Sequence, residues 1–352
     1  MATSQRNATL ERMNRPPNIL LLLTDDQRHD TIGALGCREA RTPHLDALVQ
    51  RGTAFTQGHI PGGTVPAVCC PSRAMLYTGR TLFHLCDSGR EVPVDHILLG
   101  EHLRAQGYRT FGAGKWHNGR AAFARSFDDG GEIFFGGMAD HWNVPAYRFD
   151  PAGRYDARCA YVKDPTFTNT VAFHECDHIT AGQHSTDLIA GAAVDFLARH
   201  DGRQPFFAAV NFLAPHDPRT MPEEFRRQFR DEDMALPPNV LGGHPLDTGA
   251  LRIRDELLAA FPRSSTEIRR HLAEYHAMIA HLDAGIGRIL AALDARGWRD
   301  DTLIVLCGDN GLALGQHGLM GKQNLYDHSV RVPLVFCGPG VPAGQHTAAH
   351  AY

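Results

Sequence analysis

Residues 17–26, "PNILLLLTDD", join an apolar run directly to two adjacent acids, and this stretch decides the expected fold class. The run from Asn18 to Leu23 does not alternate apolar with polar side chains, which is typical of a strand in a sheet covered by helices on both faces. Adjacent carboxylates repel each other strongly unless they share a cation or a proton. The stretch therefore predicts a buried strand that ends in a charged site.

Three further segments have the same form, with an apolar run that ends in polar residues. They are Tyr108–Gly112 followed by a glycine turn with Lys115 and His117, Pro205–Leu213 followed by His216, and Thr302–Cys307 followed by Asp309 and Asn310. In open parallel sheets, ligands bind beyond the carboxyl ends of the strands. We therefore expect the four polar clusters to meet at one edge of a sheet and form one site.

Helical stretches lie between these runs, and the clearest of them spans Thr266 to Arg296, where apolar residues recur at steps of three and four. Ser264 and Glu267 have the spacing of a capping box, and Gly297 fits a helix end. The other predicted helices are Leu45–Arg51, Leu98–Gln106 and Thr186–His200. The alternation predicts an α/β fold with a doubly wound, mostly parallel sheet sandwiched by helices.

The composition excludes some classes of partner. The 352 residues carry a formal net charge of -4 and are 43% hydrophobic, which indicates a globular chain without the basic patch that nucleic acids require. No polybasic run stands beside an apolar segment, so we expect no membrane partner. Residues 1–17 lack the apolar core of a signal peptide, which predicts a cytoplasmic protein, or a periplasmic or secreted one if a leader has been removed.

The polar residues at the strand ends include enough oxygen ligands for a metal. Any one of these acids alone would be interpreted as a helix cap or a turn residue. Together they favour Ca²⁺ or Mg²⁺, since the eight cysteines form no paired spacing that would bind zinc. The candidate ligands are Asp25, Asp26, Asp309 and Asn310.

Residues 67–80, "AVCCPSRAMLYTGR", place two cysteines ahead of a predicted helix. Pro71 suits the first turn, so Cys69 and Cys70 are expected just before the helix N-terminus, where an anion is favoured and a thiolate would be activated. A vicinal disulfide and two buried thiols are the alternatives. The spacing to Arg73 does not match the longer loop of a thiol-based phosphatase.

The same stretch resembles the C-x-P-S-R…T-G-R signature of type I sulfatases, members of the alkaline phosphatase superfamily. The other motifs that match this family in order are Asp25-Asp26, Lys115-x-His117, His216, Asp309-Asn310-Gly311 and Gly321-Lys322. The resemblance implies a polar N-terminal extension at 1–16 and a sulfatase catalytic domain at 17–352. The smaller C-terminal subdomain usual in the family is expected to be absent or truncated after Tyr352.

The resemblance also implies a mechanism. Cys69 would be converted to formylglycine by a formylglycine-generating enzyme, and the hydrated aldehyde would attack the sulfur of a sulfate ester. The implied Ca²⁺ ligands, with Mg²⁺ as a possible substitute, are Asp25, Asp26, Cys69, Asp309 and Asn310. The implied roles are sulfate binding by Lys115 and Lys322, stabilisation of the ionised diol by Arg73, protonation of the leaving group by His216 and removal of the second diol proton by His117.

Two functions remain open beside sulfate ester hydrolysis. One is phosphonate or phosphate ester hydrolysis on the same scaffold, and the other is a catalytically silent protein that binds anions or glycans. Among sulfates, a carbohydrate sulfate is favoured because three polar stretches could surround a hydroxyl-rich ligand. These are 152–162, 174–187 and the turn Asp217–Arg219.

Overall fold

A computed structural model describes residues 15–352, so all but Arg15 and Pro16 of the predicted N-terminal extension lies outside the described residues. A central eight-stranded sheet dominates these residues, accompanied by two small two-stranded sheets. The strands are β1 (Asn18–Thr24), β2 (Gly52–Gly58), β3 (Arg109–Lys115), β4 (Asp129–Phe134), β5 (Pro145–Ala146), β6 (Cys159–Val162), β7 (Val171–His174), β8 (His178–Ile179), β9 (Phe206–Asn211), β10 (Thr302–Gly308), β11 (Leu334–Cys337) and β12 (Gln345–Ala351).

Helices connect these strands and cover both faces of the sheet. The α-helices are α1 (Pro43–Arg51), α2 (Cys69–Thr78), α3 (Leu99–Ala105), α4 (Arg120–Ser126), α5 (Ser185–Arg199), α6 (Glu223–Arg226), α7 (Ser265–Ala295) and α8 (Asp327–Val330). Short 3₁₀ turns occupy Gly33–Leu35, Leu82–His84, Asp87–Gly89, Asp231–Asp233, Glu256–Leu258 and Arg299–Asp301.

The central sheet has the strand order β12-β2-β11-β10-β1-β9-β3-β4. Within it, β11 runs antiparallel to both of its neighbours, and every other pairing is parallel. Strand β1 lies inside the sheet, where Leu21 pairs with Val305 of β10 and Ala209 of β9. The predicted mostly parallel, doubly wound sheet is therefore confirmed.

The apolar run of β1 has no polar face because both of its faces are buried. Leu20 and Leu22 pack into a cluster with residues of α1, α5 and α7, whereas Leu21 and Leu23 pack into a second cluster with residues of α3 and α4. Each successive side chain of a strand points to the opposite face, so helices on both sides require apolar residues at every position.

Strand β3 is longer than predicted. The glycines of "GAGK" were expected to form a turn, but the strand continues to Lys115, which pairs with Phe134 of β4. The register shifts between Ala113 and Gly114, and Gly114 has φ +81°, where a Cβ would collide with the Asn211 carbonyl oxygen. The glycine thus permits a bulge in a continuing strand, and Lys115 is the last residue of that strand.

The helix boundaries follow the predictions with one correction. In α7, the Ser264 Oγ accepts a hydrogen bond from the Glu267 N–H at 3.2 Å, and Gly297 follows the helix end with φ +65°. Helix α2, however, begins at Cys69, so both cysteines lie in its first turn instead of before it. Pro71 is tolerated there because the first-turn N–H groups have no partner within the helix.

No helix within residues 15–352 has both the length and the apolar character needed to cross a bilayer.

Candidate active site

The carboxyl ends of β1, β3, β9 and β10 meet at one edge of the sheet, and the start of α2 lies against them. One ligand atom each from Asp25, Cys69 and Asp309 lies within 4.8 Å of the others, and the same holds for Asp25, Asp26 and His216. The structure therefore brings together the residues that the sequence places at four separate strand ends. All ten predicted site residues belong to this group or contact it directly.

Four of them form a fully enclosed set of charges, here called the inner half, which consists of Asp25, Arg73, Lys115 and Asp309. The Arg73 guanidinium donates to the Asp309 carboxylate at 2.8 Å, to the Asp25 carboxylate at 3.4 Å and to the Lys115 carbonyl at 2.6 Å. The Lys115 ammonium forms an ion pair with Asp25. The side chains of all four residues that form these ion pairs have no exposed surface.

A second set, here called the outer half, consists of Asp26, His216, Asn310 and Lys322. The Asp26 Oδ1 accepts hydrogen bonds from Lys322 Nζ at 2.6 Å and from Asn310 Nδ2 at 2.5 Å. His216 Nε2 lies 3.7 Å from Asp26 Oδ2. His216 and Lys322 also line a cavity of about 270 Å³ above Cys69, so this half reaches the solvent side of the site.

Asp26, which directly follows Asp25, has a strained backbone conformation. Asp26 has φ +62°, a conformation that costs free energy in a residue with a Cβ unless its surroundings hold it. Its N–H donates to the Asp309 carboxylate at 3.2 Å. Its carbonyl accepts from the Tyr275 hydroxyl at 2.6 Å, and the same hydroxyl accepts from the Arg28 N–H at 2.9 Å. Contacts from β10 and α7 thus maintain the turn.

The pKa of Asp25 shifts in the opposite direction from those of Asp26 and Asp309. Burial alone would raise the pKa of Asp25, but the attraction of Lys115 and the other nearby cations outweighs it and holds that pKa well below its usual range. Burial raises the pKa of Asp26 to about 7, although Lys322 partly opposes the shift. Burial, with repulsion from Asp25, raises the pKa of Asp309 to about 6.

Two unpaired oxygens show that these residues fit a cation. Asp25 Oδ1 and Asn310 Oδ1 are both buried and have no hydrogen-bond partner. Buried oxygens are seldom left unpaired, because an unmet acceptor loses its hydration without compensation. Both belong to residues predicted as metal ligands, next to Asp309, whose pKa is raised by burial and by repulsion from Asp25. The donor set is rich in oxygen, which suits a hard divalent cation.

Cys69 lies at the centre of the site as a buried free thiol. Its Sγ is 3.4 Å from His117 Nδ1 and 3.5 Å from Lys115 Nζ, and the residue is 2% exposed. Burial raises the pKa of the Cys69 thiol, so the helix start does not generate the activated thiolate considered from the sequence. The neighbouring Cys70 is also free and buried, which rules out the vicinal disulfide in this structure.

Both candidate proton-transfer histidines are neutral in this environment. Burial, reinforced by Lys115, lowers the pKa of His117 to about 2. Burial, reinforced by Lys322, lowers the pKa of His216 to about 4. The His216 Nδ1–H donates to the Asp217 carbonyl at 2.7 Å, which leaves Nε2 as the nitrogen available to a substrate.

The rim of the cavity differs from the sequence prediction. None of the described residues of 152–162, 174–187 or the Asp217–Arg219 turn lines it. Its walls come instead from 66–67, 69, 117, 137–138, 216, 253–255 and 322–323. Strand β6, at the end of the stretch 152–162, pairs with β7 in a separate sheet. Arg219 turns toward His271 and donates to its Nδ1 at 2.8 Å. These polar stretches therefore do not form the expected rim.

Three residues beside the site were not predicted from the sequence, namely Asn118, His141 and Tyr275. Asn118 Nδ2 donates to the Cys70 carbonyl at 2.9 Å and to the Gly89 carbonyl at 2.6 Å, which anchors the start of α2. The position of Asn118 directly after the Lys115-x-His117 motif could have identified it from the sequence as a site residue. Tyr275 is one of the regularly spaced residues of α7, so its pattern indicated only a core position. His141 lies in a loop, where the surrounding sequence has no recognisable motif.

A mostly parallel sheet that collects at one edge a buried cysteine, two lysines, two histidines and oxygen donors that could hold a cation is typical of the alkaline phosphatase type of ester hydrolase fold. The chain belongs to the sulfatase family, whose model, described as "Sulfatase", matches residues 17–352.

Curated relatives resemble nearly the whole chain. It is 28% identical over 344 residues to an "Ulvan-active sulfatase" of Formosa agariphila, covering 95% of this chain and 58% of that protein. It is 30% identical to the "Multifunctional alkaline phosphatase superfamily protein PehA" of Trinickia caryophylli, covering 93% and 70% of the two chains. The chain spans 58% to 65% of the length of the first three curated relatives it matches.

Solved structures have the same fold. A phosphonate monoester hydrolase of Agrobacterium radiobacter is 25% identical with a TM-score of 0.69, covering 94% of this chain and 70% of that one. The structure of BT4656 in complex with its substrate D-glucosamine-2-N,6-O-disulfate has a TM-score of 0.72 at 21% identity, covering 95% and 74%. At that identity, the second likeness concerns the fold alone.

Proposed function

We propose that this chain carries the catalytic site of a sulfuric ester hydrolase that cleaves a carbohydrate sulfate monoester through a formylglycine formed from Cys69. The observation that carries the proposal is the position of Cys69, whose Sγ lies 3.5 Å from Lys115 Nζ and within 4.8 Å of oxygens of Asp25 and Asp309. The substrate class is inferred from relatives named as an ulvan-active sulfatase and an N-acetylglucosamine-6-O-sulfatase.

The thiol of Cys69 stands where the oxygens of the modified residue would lie. Asp25, Asp26, Asp309, Asn310 and residue 69 would hold Ca²⁺, or Mg²⁺ in its place. When present, formylglycine supplies a hydrated aldehyde as nucleophile, and the cation stabilises negative charge beside it.

The two lysines are proposed to bind the sulfate group. Lys115 Nζ approaches Cys69 from the inner half, whereas Lys322 belongs to the outer half and lines the cavity. Positive charge from two sides would hold the sulfate oxygens and orient the sulfur toward residue 69. Arg73 donates to Asp25 and Asp309, so its charge would act near residue 69 while it holds those two carboxylates in place.

His216 is proposed to donate the proton that the leaving group needs. Burial, reinforced by Lys322, lowers the pKa of His216 in the free protein, where Nε2 carries no proton. A bound sulfate ester would bring negative charge between the lysines and offset their effect, so that Nε2 takes up a proton from solvent when the substrate binds. As the bond between sulfur and the leaving oxygen breaks, the proton on His216 Nε2 passes to that oxygen and an alcohol departs. His117, whose Nδ1 lies 3.4 Å from Cys69 Sγ, would accept a proton from residue 69.

Phosphonate or phosphate ester hydrolysis is the second candidate. It is supported by the relative PehA and by the phosphonate monoester hydrolase structure, both at least 25% identical to this chain. The same cations could hold either tetrahedral anion. Rates on matched sulfate, phosphate and phosphonate esters of one phenol distinguish the candidates, and we expect the sulfate ester to have the highest kcat/KM.

The decisive experiment compares Cys69→Ala with Cys70→Ala after expression with a formylglycine-generating enzyme. Mass spectrometry across this peptide should show an aldehyde or its hydrate at residue 69 in the wild type and in Cys70→Ala. Sulfate ester turnover should vanish only in Cys69→Ala, because the Cys70 thiol contacts the backbone carbonyl of His117 and does not line the cavity. An unconverted thiol that persists beside an active modifying enzyme, with no turnover, would instead support a catalytically silent binding protein.

A further inference from the structure

We infer that His141 is a positioning residue that holds the backbone of His216 and thereby aims the His216 imidazole at the leaving-group oxygen. The inference rests on the proposed function, in which His216 protonates the leaving group. His141 belongs to the loop between β4 and β5 and is 1% exposed. None of the proposed catalytic roles requires it.

The hydrogen bonds of His141 determine its tautomer. Its Nε2 lies 2.9 Å from the His216 carbonyl oxygen, and its Nδ1 lies 2.7 Å from Ser185 Oγ. A carbonyl oxygen can only accept, so Nε2 carries the hydrogen. In the neutral ring, Nδ1 then accepts from the Ser185 hydroxyl. Burial lowers the pKa of His141 to about 4, so this neutral form persists at physiological pH.

Neighbouring aromatic rings pack against the His141 imidazole. Its imidazole stacks on that of His184, with ring centroids 5.0 Å apart and planes 5° apart, and His184 in turn contacts His281. His184 is the N-cap of α5, and its Nε2 lies 2.9 Å from the Thr220 carbonyl oxygen. Two stacked histidines therefore bind carbonyls at residues 216 and 220, on one loop, and attach that loop to the start of α5.

The direction of the His216 ring depends on this same backbone. Its Nδ1–H donates to the carbonyl of the next residue, Asp217, at 2.7 Å. That acceptor belongs to the peptide after residue 217, so its position depends on the orientation of the 216–217 peptide, whose carbonyl His141 binds. A misplacement of about 1 Å in a reacting group can cost on the order of a hundredfold in rate. Loss of the His141 contact should thus weaken proton donation more than sulfate binding.

The test uses the dependence of rate on the leaving group. Aldehyde-bearing wild type, His141→Met and His141→Gln are assayed with 4-nitrophenyl sulfate, whose phenol leaves readily, and with a sugar sulfate, whose alcohol needs a proton. Methionine fills space without a donor, whereas glutamine can place an amide N–H near the His216 carbonyl. We expect His141→Met to lose at least about tenfold more kcat on the sugar sulfate than on 4-nitrophenyl sulfate. His141→Gln should recover much of that selective loss.

His281→Met is the matched control, because His281 lies in the same stack of rings without contacting His216. It should reduce stability without any selective loss on the sugar sulfate. An equal loss on both substrates in His141→Met, or the same selectivity in His281→Met, would overturn the inference. Should His141→Met fail to fold, Ser185→Ala provides a milder test, with a selective loss expected in the same direction.

A measurement that does not depend on enzyme activity tests the role of His141 separately from the proposed function. Nitrogen chemical shifts of His141 should report the Nε2–H tautomer, which the Ser185→Ala variant should populate less completely. An Nδ1–H tautomer in the wild type would contradict the His141 assignment whatever the activity. If the tautomer is as expected but no sulfate ester is hydrolysed by aldehyde-bearing protein, the proposed function has failed and His141 no longer positions a proton donor for it.

Discussion

The inner and outer halves of the site begin at adjacent residues of one strand end, yet they behave differently. Asp25 is enclosed by Lys115 and Arg73, and its pKa lies well below the ordinary value. Asp26 is paired with Lys322, which lines the cavity, and burial raises the pKa of Asp26 to about 7. Carboxylates next to each other in sequence thus separate into one that stays charged and one whose charge can change.

The two halves should therefore contribute differently to the stability of the protein. The charges of the inner half compensate each other without solvent, so removing any one of them leaves others buried and unpaired. The outer half can accept a proton on Asp26, and it opens to the space where a ligand would bind. Because both halves contain proposed metal or sulfate ligands, we expect changes in either half to reduce turnover, and changes in the inner half to reduce stability more than changes in the outer half.

Replacing Arg73 is expected to have the largest effect on stability. Arg73→Met leaves Asp309 and part of the charge of Asp25 uncompensated in a fully buried place. The free energy of unfolding of the metal-free protein should fall by about 3–5 kcal/mol, as measured by denaturant titration. The control is Arg227→Met, which breaks an exposed ion pair with Glu223 and should cost less than about 1 kcal/mol. Similar losses in both variants would remove the distinction between the inner half and the surface.

Lys322→Met tests the outer half. Asp26 can respond to the loss of its partner by keeping a proton, so the unfolding free energy should fall less than in Arg73→Met. Turnover of a sulfate ester should nevertheless drop by about 10²–10³, because a cation facing the substrate is lost. The comparison requires kcat/KM and a denaturant titration on the same samples. Normal turnover, or destabilisation equal to that of Arg73→Met, would contradict the proposed contribution of the outer half.

The proposed binding of Ca²⁺ should depend on pH through the raised pKa values of Asp26 and Asp309, about 7 and about 6. Both acids hold protons in the metal-free protein at pH values where isolated aspartates have lost them, and Ca²⁺ must displace these protons. Affinity should therefore fall as the pH decreases from 7 to 5, by up to about tenfold per pH unit for each proton displaced. Calorimetry at pH 6.5 in two buffers measures the proton release directly. An affinity that is the same at pH 5 and pH 7 would contradict the assigned shifts.

Tyr275→Phe should have the smallest effect. It removes the hydroxyl that bonds both the Asp26 carbonyl and the Arg28 N–H, and should cost about 1–2 kcal/mol of stability and weaken Ca²⁺ binding. Tyr77→Phe is the matched control, because it removes a buried hydroxyl bonded to Asn211 instead. It should cost similar stability without weakening Ca²⁺ binding. Equal Ca²⁺ affinities in the two variants would show that Tyr275 does not support the outer half.

Much of the sheet could be predicted from the sequence because its pattern is local. The apolar run of β1 and the cap at Ser264 follow from side chains a few residues apart. The end of β3 was predicted too early, since Gly114 could equally belong to a turn or a bulge, and pairing with β9 and β4 selects the bulge. The rim of the cavity was predicted wrongly for a related reason: polarity marks a loop as exposed without showing which cavity it faces.

The sequence by itself determined the fold class, the family and the set of residues that gather at the strand ends, because strand direction alone brings such ends to one edge. Only the tertiary structure decided that Asp25 and Asp26 have opposite pKa shifts and that His141 holds the His216 loop. Those properties depend on burial and on charges contributed by segments distant in sequence. The relative positions of these segments are set when the whole chain packs, and no local sequence pattern encodes them.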